Sequence, residues 1–68
     1  MALSRKRLKE IYGVDIVYDH WLEEYKMYTA DGCKWCNGLR TVKEAEEECK
    51  LFADTFKGIK KQYEEGYV

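Results

Sequence analysis

The stretch "YTADGCKWCNGLRTVKEAEEECK", residues 28–50, decides the fold of this chain. Asp31-Gly32 is a strong signal for a β-hairpin turn, and the aromatic and β-branched residues before it favour a strand. Thr41 and Glu44 form a capping box, in which each residue satisfies a backbone N–H group at the start of a helix. The stretch therefore predicts two antiparallel strands followed by a helix.

Upstream of the turn, aromatic content predicts a strand from about Glu24 to Thr29. The apolar run "VDIVY", residues 14–18, predicts another strand. The secondary structure of residues 19–23 is left undecided, since the periodicity of residues 19–25 fits a helix as well as a strand. Downstream, "CKWC" continues as the return strand. Asn37-Gly38 tolerates positive φ angles and suits a bulge or a second tight turn.

After Thr41, apolar residues recur at steps of three and four, which predicts a long amphipathic helix. Acidic residues crowd its front and lysines its back, in keeping with the helix dipole. A helix unbroken to Glu64 would be about 34 Å long at 1.5 Å per residue, with Gly58 as its weakest point. Its apolar seam consists of Val42, Ala45, Cys49, Phe52, Phe56, Ile59 and Tyr63.

The segment "LSRKRLKEIYG", residues 3–13, predicts a short helix with Ser4 as N-cap and Gly13 as its stop. The expected fold class is α+β: a short N-terminal helix and a small antiparallel sheet of two or three strands, with a long C-terminal helix packed on the sheet. A chain of 68 residues forms one domain, residues 1–68.

Composition excludes several classes of protein. With 37% charged and 46% hydrophobic residues and no proline, the chain is expected to be ordered. A net charge of −1 provides no general attraction to nucleic acid or to an anionic membrane. No apolar run approaches a membrane span, and the first ten residues lack the apolar core of a signal peptide. Three cysteines cannot all pair, so we expect a cytoplasmic protein with reduced thiols.

The segment "EYKMYTADGCKWCNGLRTVKEAEEECK", residues 24–50, resembles the strand–DG–strand–TxxEA helix pattern of small uncharacterised bacterial and phage proteins. The resemblance rests on turn and cap signals. It implies a hairpin–helix architecture and no activity, and it offers no counterpart to "CKWC".

The "CKWC" pair has a metal-binding interpretation and a structural one. A zinc knuckle would use Cys33 and Cys36, with His20 and Cys49 completing a Cys3His site. Two observations oppose it: Cys49 lies on the apolar seam, and a strand would direct Cys33 and Cys36 to opposite faces. A third interpretation is a redox-active CxxC motif. It is disfavoured because such a motif lies at the N-terminus of a helix, whereas this pair precedes the long helix by several residues. We therefore predict no cofactor and no metal, with zinc as the alternative.

Catalytic signals are lacking as well. The chain has one histidine, His20, no nucleophile elbow and no glycine-rich phosphate loop. The protein is therefore predicted not to be an enzyme.

Six tyrosines and two tryptophans exceed what one thin core can bury, and exposed aromatic residues are enriched at protein interfaces. The sequence thus predicts an interaction module, acting as an accessory factor or a phage-type inhibitor, that binds a protein partner or a second copy of itself. We expect Tyr28 and Trp35 on the sheet face away from the long helix. The predicted partner-binding residues are Trp21, Tyr25, Tyr28 and Trp35.

The alternative function is nucleic-acid binding through the basic N-terminal helix. Cations in the first turn of a helix oppose its dipole, and such local rule-breaking sometimes marks function. A solvated helix face is the more common explanation of a charge run, so nucleic acid is not the predicted partner. The basic residues are Arg5, Lys6, Arg7 and Lys9.

Overall fold

The computed structural model describes residues 3–66. Within them, three helices pack on one face of a three-stranded antiparallel sheet with strand order β1-β2-β3. This arrangement confirms the α+β fold class. The elements are α1 (Arg5–Tyr12), β1 (Asp15–Asp19), β2 (Glu24–Tyr28), β3 (Lys34–Leu39), α2 (Val42–Leu51) and α3 (Ala53–Glu64).

The hydrophobic core lies between the helices and one face of the sheet. Phe56 is 1% exposed, and the thiol-bearing Cys49 is fully buried beside it in the same cluster. Such packing behaviour is common for a free cysteine, which acts as a small apolar side chain. The opposite face of the sheet is left without a helix among the described residues. The other core members are Leu8, Tyr12, Val14, Ile16, Met27 and Ala45.

The first two strands pair without interruption, from Asp15 opposite Tyr28 to Asp19 opposite Glu24. The second and third strands pair with two register shifts. One makes Trp35 an extra residue between paired positions, and the other accommodates Asn37-Gly38, where Gly38 has a φ of 78°. The bulge interpretation of Asn37-Gly38 is thus confirmed.

Residues 20–23, within the segment whose secondary structure the sequence left undecided, form a turn between β1 and β2. The Asp19 carboxylate accepts the backbone N–H groups of Trp21 at 2.9 Å and Leu22 at 3.1 Å. Glu23 closes the turn with a φ of 54°, a conformation that non-glycine residues adopt rarely. Local side-chain hydrogen bonds decide the conformation here, and these carry no periodicity in sequence.

Both predicted helix starts are confirmed. The Ser4 hydroxyl accepts the Arg7 N–H at 3.2 Å, and the Thr41 hydroxyl accepts the Glu44 N–H at 3.2 Å. The Glu44 carboxylate reaches one residue further back than a capping box requires, to the Arg40 N–H at 3.3 Å. The first helix ends at Gly13, whose φ is 75°.

The expectation of one uninterrupted C-terminal helix is wrong at Phe52. That residue adopts φ −116° and ψ 35°, which separates α2 from α3. The two helices pack differently, since α2 lies against β3 and α1, whereas α3 lies against α1. A bend lets both segments follow the small core, and Phe56 reaches its buried position after it. Gly58, the expected weak point, lies inside α3.

Candidate protein interface

Three apolar side chains along the hairpin formed by β1 and β2 are solvent-exposed. Trp21 is 92% exposed, Leu22 is 53% exposed and Val17 is 50% exposed. All three lie on β1 or in the turn that follows it, and we name them the hairpin patch. Their burial would remove apolar surface from water, which is the main driving force of protein association. Trp21 was predicted from sequence to bind a partner, whereas Val17 and Leu22 were not.

Asp19 holds the part of the hairpin patch that lies in the turn, Trp21 and Leu22, in place. Besides the two turn hydrogen bonds, its carboxylate forms an ion pair with Lys26 at 2.9 Å. The hydrogen bond from Lys26, followed by that from the Leu22 N–H, holds the pKa of Asp19 below its ordinary value. The charged form of Asp19 is therefore favoured, and it is the form that accepts the hydrogen bonds of the turn bearing Trp21.

Tyr25 lies in an aromatic cluster on the helix side of the sheet. Its ring packs edge-on against Tyr18, with 4.9 Å between centroids, and Tyr18 in turn contacts His20 at 4.8 Å. The Arg5 guanidinium lies 6.0 Å from the Tyr25 ring centroid. Tyr25 is half-buried by these neighbours, whereas His20 is exposed in the turn.

The expectation that Trp35 shares the open sheet face with Tyr28 is wrong for Trp35. Its ring packs against Phe52 at 5.2 Å and Phe56 at 4.7 Å, on the helix side of the sheet. The bulge at Trp35 breaks the alternation from which its direction was predicted. Tyr28 follows the buried Met27, and strand alternation directs Tyr28 to the open face, where it is half-buried.

The cysteines and the histidine of the alternative zinc site lie in different places. His20 and Cys33 occupy turns at opposite ends of β2, whose five residues separate them by about 16 Å. Cys33 is exposed, Cys36 is half-buried and Cys49 is buried. Burial raises the pKa of the Cys49 thiol to about 11, which disfavours the thiolate that metals bind. Among residues 3–66, no group of three or more His, Cys, Asp or Glu side chains is placed to hold an ion.

Two of the four basic residues of α1 form ion pairs with nearby carboxylates. Arg7 pairs with Glu10 at 3.2 Å and Lys9 pairs with Asp15 at 2.7 Å. The hydrogen bond from Lys9 to Asp15 raises the lysine pKa. A groove of about 400 Å³ lies between α1 and β1, and Arg7 is not among its lining residues. The groove is lined by Arg5, Lys6, Lys9, Val14, Asp15 and Ile16.

Comparison of the chain with protein-family models, with curated proteins and with solved structures returned no match. No helix within residues 3–66 has the length and apolar character needed to cross a membrane. Two surface features remain from which a function can be inferred: the hairpin patch, and the α1–β1 groove beside it.

Proposed function

We propose that this protein is a small interaction module, which binds a partner protein through the hairpin patch and performs no catalysis. Its role would be that of an accessory factor or an inhibitor, since binding alone can regulate a partner. The exposed Trp21, held by an ordered turn, is the observation on which the proposal rests.

A tryptophan displayed in this way favours binding for two reasons. Covering about 150–250 Å² of aromatic surface at about 25 cal/mol per Å² contributes roughly 4–6 kcal/mol before association costs. Those costs include the ordering of loops, and the hydrogen bonds of Asp19 hold this turn before any partner arrives. Trp21 is therefore suited to be the central anchor of an interface.

The polar surface supports binding rather than chemistry. The concave site beside Gly13 contains two cation–anion pairs, Lys9 with Asp15 at 2.7 Å and Lys60 with Glu64 at 3.0 Å. Charges paired in this way stabilise each other and serve poorly as a general acid or base.

The test compares capture of proteins from a host lysate by the native chain and by two variants. Trp21→Ser removes the proposed anchor. Leu51→Ser is the matched control, because Leu51 is 73% exposed on α2, outside the hairpin patch. We expect one or more proteins to be retained by the native chain and by Leu51→Ser, and lost by Trp21→Ser. Equal retention by both variants, or no specific retention, contradicts the proposal.

A second copy of the chain is the alternative partner. Size-exclusion chromatography with light scattering measures the mass directly over a range of concentrations. A dimer that Trp21→Ser converts to a monomer would identify self-association through the hairpin patch. A monomer at every concentration would leave a different protein as the partner.

A further inference from the structure

The backbone of β1 has N–H and C=O groups that point away from the sheet and have no partner strand among residues 3–66. The Thr29 N–H donates to the Cys33 carbonyl at 2.8 Å, so the polar groups of Thr29 face β3. Hydrogen-bonding direction alternates along a strand, so Tyr28 and every second residue before it face β1. The residues of β1 paired with these are Asp15, Val17 and Asp19. The N–H and C=O groups of Ile16 and Tyr18 consequently point outward.

The two edges of the sheet differ in regularity. β3 contains both bulges, which twist a strand and hinder the addition of another. β1 pairs regularly along its length. The Arg5 side chain covers part of its edge, since Arg5 donates a long hydrogen bond of 3.4 Å to the outward Ile16 carbonyl. A backbone N–H group with better hydrogen-bond geometry can displace the Arg5 side chain from this carbonyl.

The groove beside this edge has a clear charge preference. Three cations, Arg5, Lys6 and Lys9, line it together with one carboxylate, Asp15. Lys9 neutralises Asp15 at 2.7 Å, which leaves Arg5 and Lys6 to attract an anion. On the other side of the strand, Val17 offers apolar surface, and the turn that bears Trp21 follows two residues later in the chain.

We propose that an extended, acidic segment of a partner protein adds to β1 as a fourth strand. This inference rests on the proposed function and identifies the chemistry of the partner. Backbone groups of the segment pair with Ile16 and Tyr18, and its N–H displaces Arg5 from the Ile16 carbonyl. Acidic side chains on one face meet Arg5 and Lys6, and apolar side chains on the other face lie beside Val17.

The charges of β1 disfavour a second copy of the chain in this position. Antiparallel self-pairing centred on Val17 places Asp15 opposite Asp19 of the other copy, at both ends of the pairing. Like charges directly opposite each other destabilise a sheet, although the ion pairs of Asp15 with Lys9 and of Asp19 with Lys26 reduce this effect. In the same pairing the residues that face α1 are Ile16 and Tyr18, which offer no carboxylate to Arg5 and Lys6. An acidic segment from another protein avoids this conflict when its acidic side chains project toward α1.

The test uses a capped peptide of alternating glutamate and valine, about eight residues long, which matches the short strand. Amide hydrogen exchange followed by NMR reports the backbone contact. At a free peptide concentration about ten times Kd, the Ile16 and Tyr18 amides should exchange about tenfold more slowly, because only the unbound fraction exchanges. A peptide of alternating lysine and valine should leave both amides unchanged. Binding without slowed exchange at these amides, or equal binding of the lysine peptide, overturns the inference.

Two N-methylated peptides separate strand addition from general attraction between charges. In one, every valine nitrogen is methylated, and in the other every glutamate nitrogen. Because the amides that face β1 belong to alternate residues, only one of the two should bind. If both bind as tightly as the parent peptide, the inference is wrong.

Lys6→Glu should weaken the parent peptide about five- to tenfold. Lys43→Glu is the matched control, an equal charge change at an exposed lysine of α2, and should have little effect. An oligothymidylate of similar charge is the comparison for nucleic acid. If it binds with equal affinity, the groove is a general polyanion site and the inference fails.

These outcomes are distinct from those of the lysate experiment. A partner captured through Trp21, together with no peptide binding at β1, would leave the proposed function intact and eliminate strand addition. The opposite result is peptide-induced protection of Ile16 without any capture that depends on Trp21. It would eliminate the proposed function of the hairpin patch and identify β1 as an independent peptide site.

Discussion

The indole N–H of Trp35 donates a hydrogen bond to the Glu48 carboxylate at 3.1 Å, from a bulge in β3 to α2. The same ring packs against Phe56 at 4.7 Å. One side chain therefore joins the sheet to both parts of the bent C-terminal helix pair. Its polar atom is satisfied within the chain, which favours a structural role for Trp35.

Trp35→Phe removes the hydrogen bond and keeps most of the aromatic packing. We expect a loss of about 1 kcal/mol in the free energy of unfolding, measured with urea, because the bond has a charged acceptor but is partly exposed. Glu48→Ala tests the other partner, and the double variant completes a thermodynamic cycle. Strict additivity of the two single effects would show that the bond contributes nothing.

Phe56→Ala should destabilise the domain by about 3–5 kcal/mol, since the side chain is almost fully buried and its removal leaves a cavity. A domain of this size has little stability in reserve, so the variant should be largely unfolded at room temperature by circular dichroism. Leu51→Ala is the control, and its exposed side chain should change stability by less than about 0.5 kcal/mol. A folded Phe56→Ala variant of native stability would contradict the described core.

Substitution of two glycines by alanine should have opposite effects. Gly13 has a φ of 75°, and an added Cβ would lie 2.9 Å from the Cβ of Lys60, so Gly13→Ala should destabilise by at least about 1 kcal/mol. Gly58 lies in α3 with open space around it, and Gly58→Ala should stabilise by about 0.5–1 kcal/mol. Thermal unfolding of the two variants compares them. Stabilisation by Gly13→Ala would contradict the close packing of Lys60 on this turn.

The three thiols should react with iodoacetamide in order of their exposure. Cys33 is exposed and should be alkylated first. Cys49 is buried and its pKa is raised to about 11, so it should react only when the protein unfolds. Mass spectrometry of peptides at successive times follows each site. Rapid labelling of Cys49 in the native protein, at a rate independent of urea, would contradict its burial.

Acid should weaken one contact that ties the N-terminal segment to α2. The Leu3 N–H and then Lys50 hold the pKa of Glu46 below its ordinary value of 4.5. A lowered pKa in the folded state stabilises the fold above the ordinary value, and this contribution is lost as pH falls through the lowered pKa. We expect the urea midpoint of the native chain to fall more steeply below about pH 4.5 than that of Glu46→Gln. Parallel pH profiles of the two proteins would exclude this role.

Local sequence signals predicted most of the secondary structure. Ser4 and Thr41 begin helices, Gly13 ends one, and the turn at Asp31-Gly32 joins β2 to β3, because caps and turns depend on neighbouring residues. The burial of Cys49 also agrees with the helical period of its neighbours. Of the candidate interface, the sequence predicted Trp21 through the surplus of aromatic residues. Val17 and Leu22 carried no such signal.

The sequence by itself determined where α1 and α2 begin, roughly where the three strands lie, and that the fold class is α+β. Only the tertiary structure decided that the C-terminal helix bends at Phe52, that Trp35 turns toward the helices, and that Arg5 covers the edge of β1. The physical reason is the range of the interactions. Caps and turns form between residues close in sequence, whereas bends, bulges and edges are set by what packs against them from distant parts of the chain.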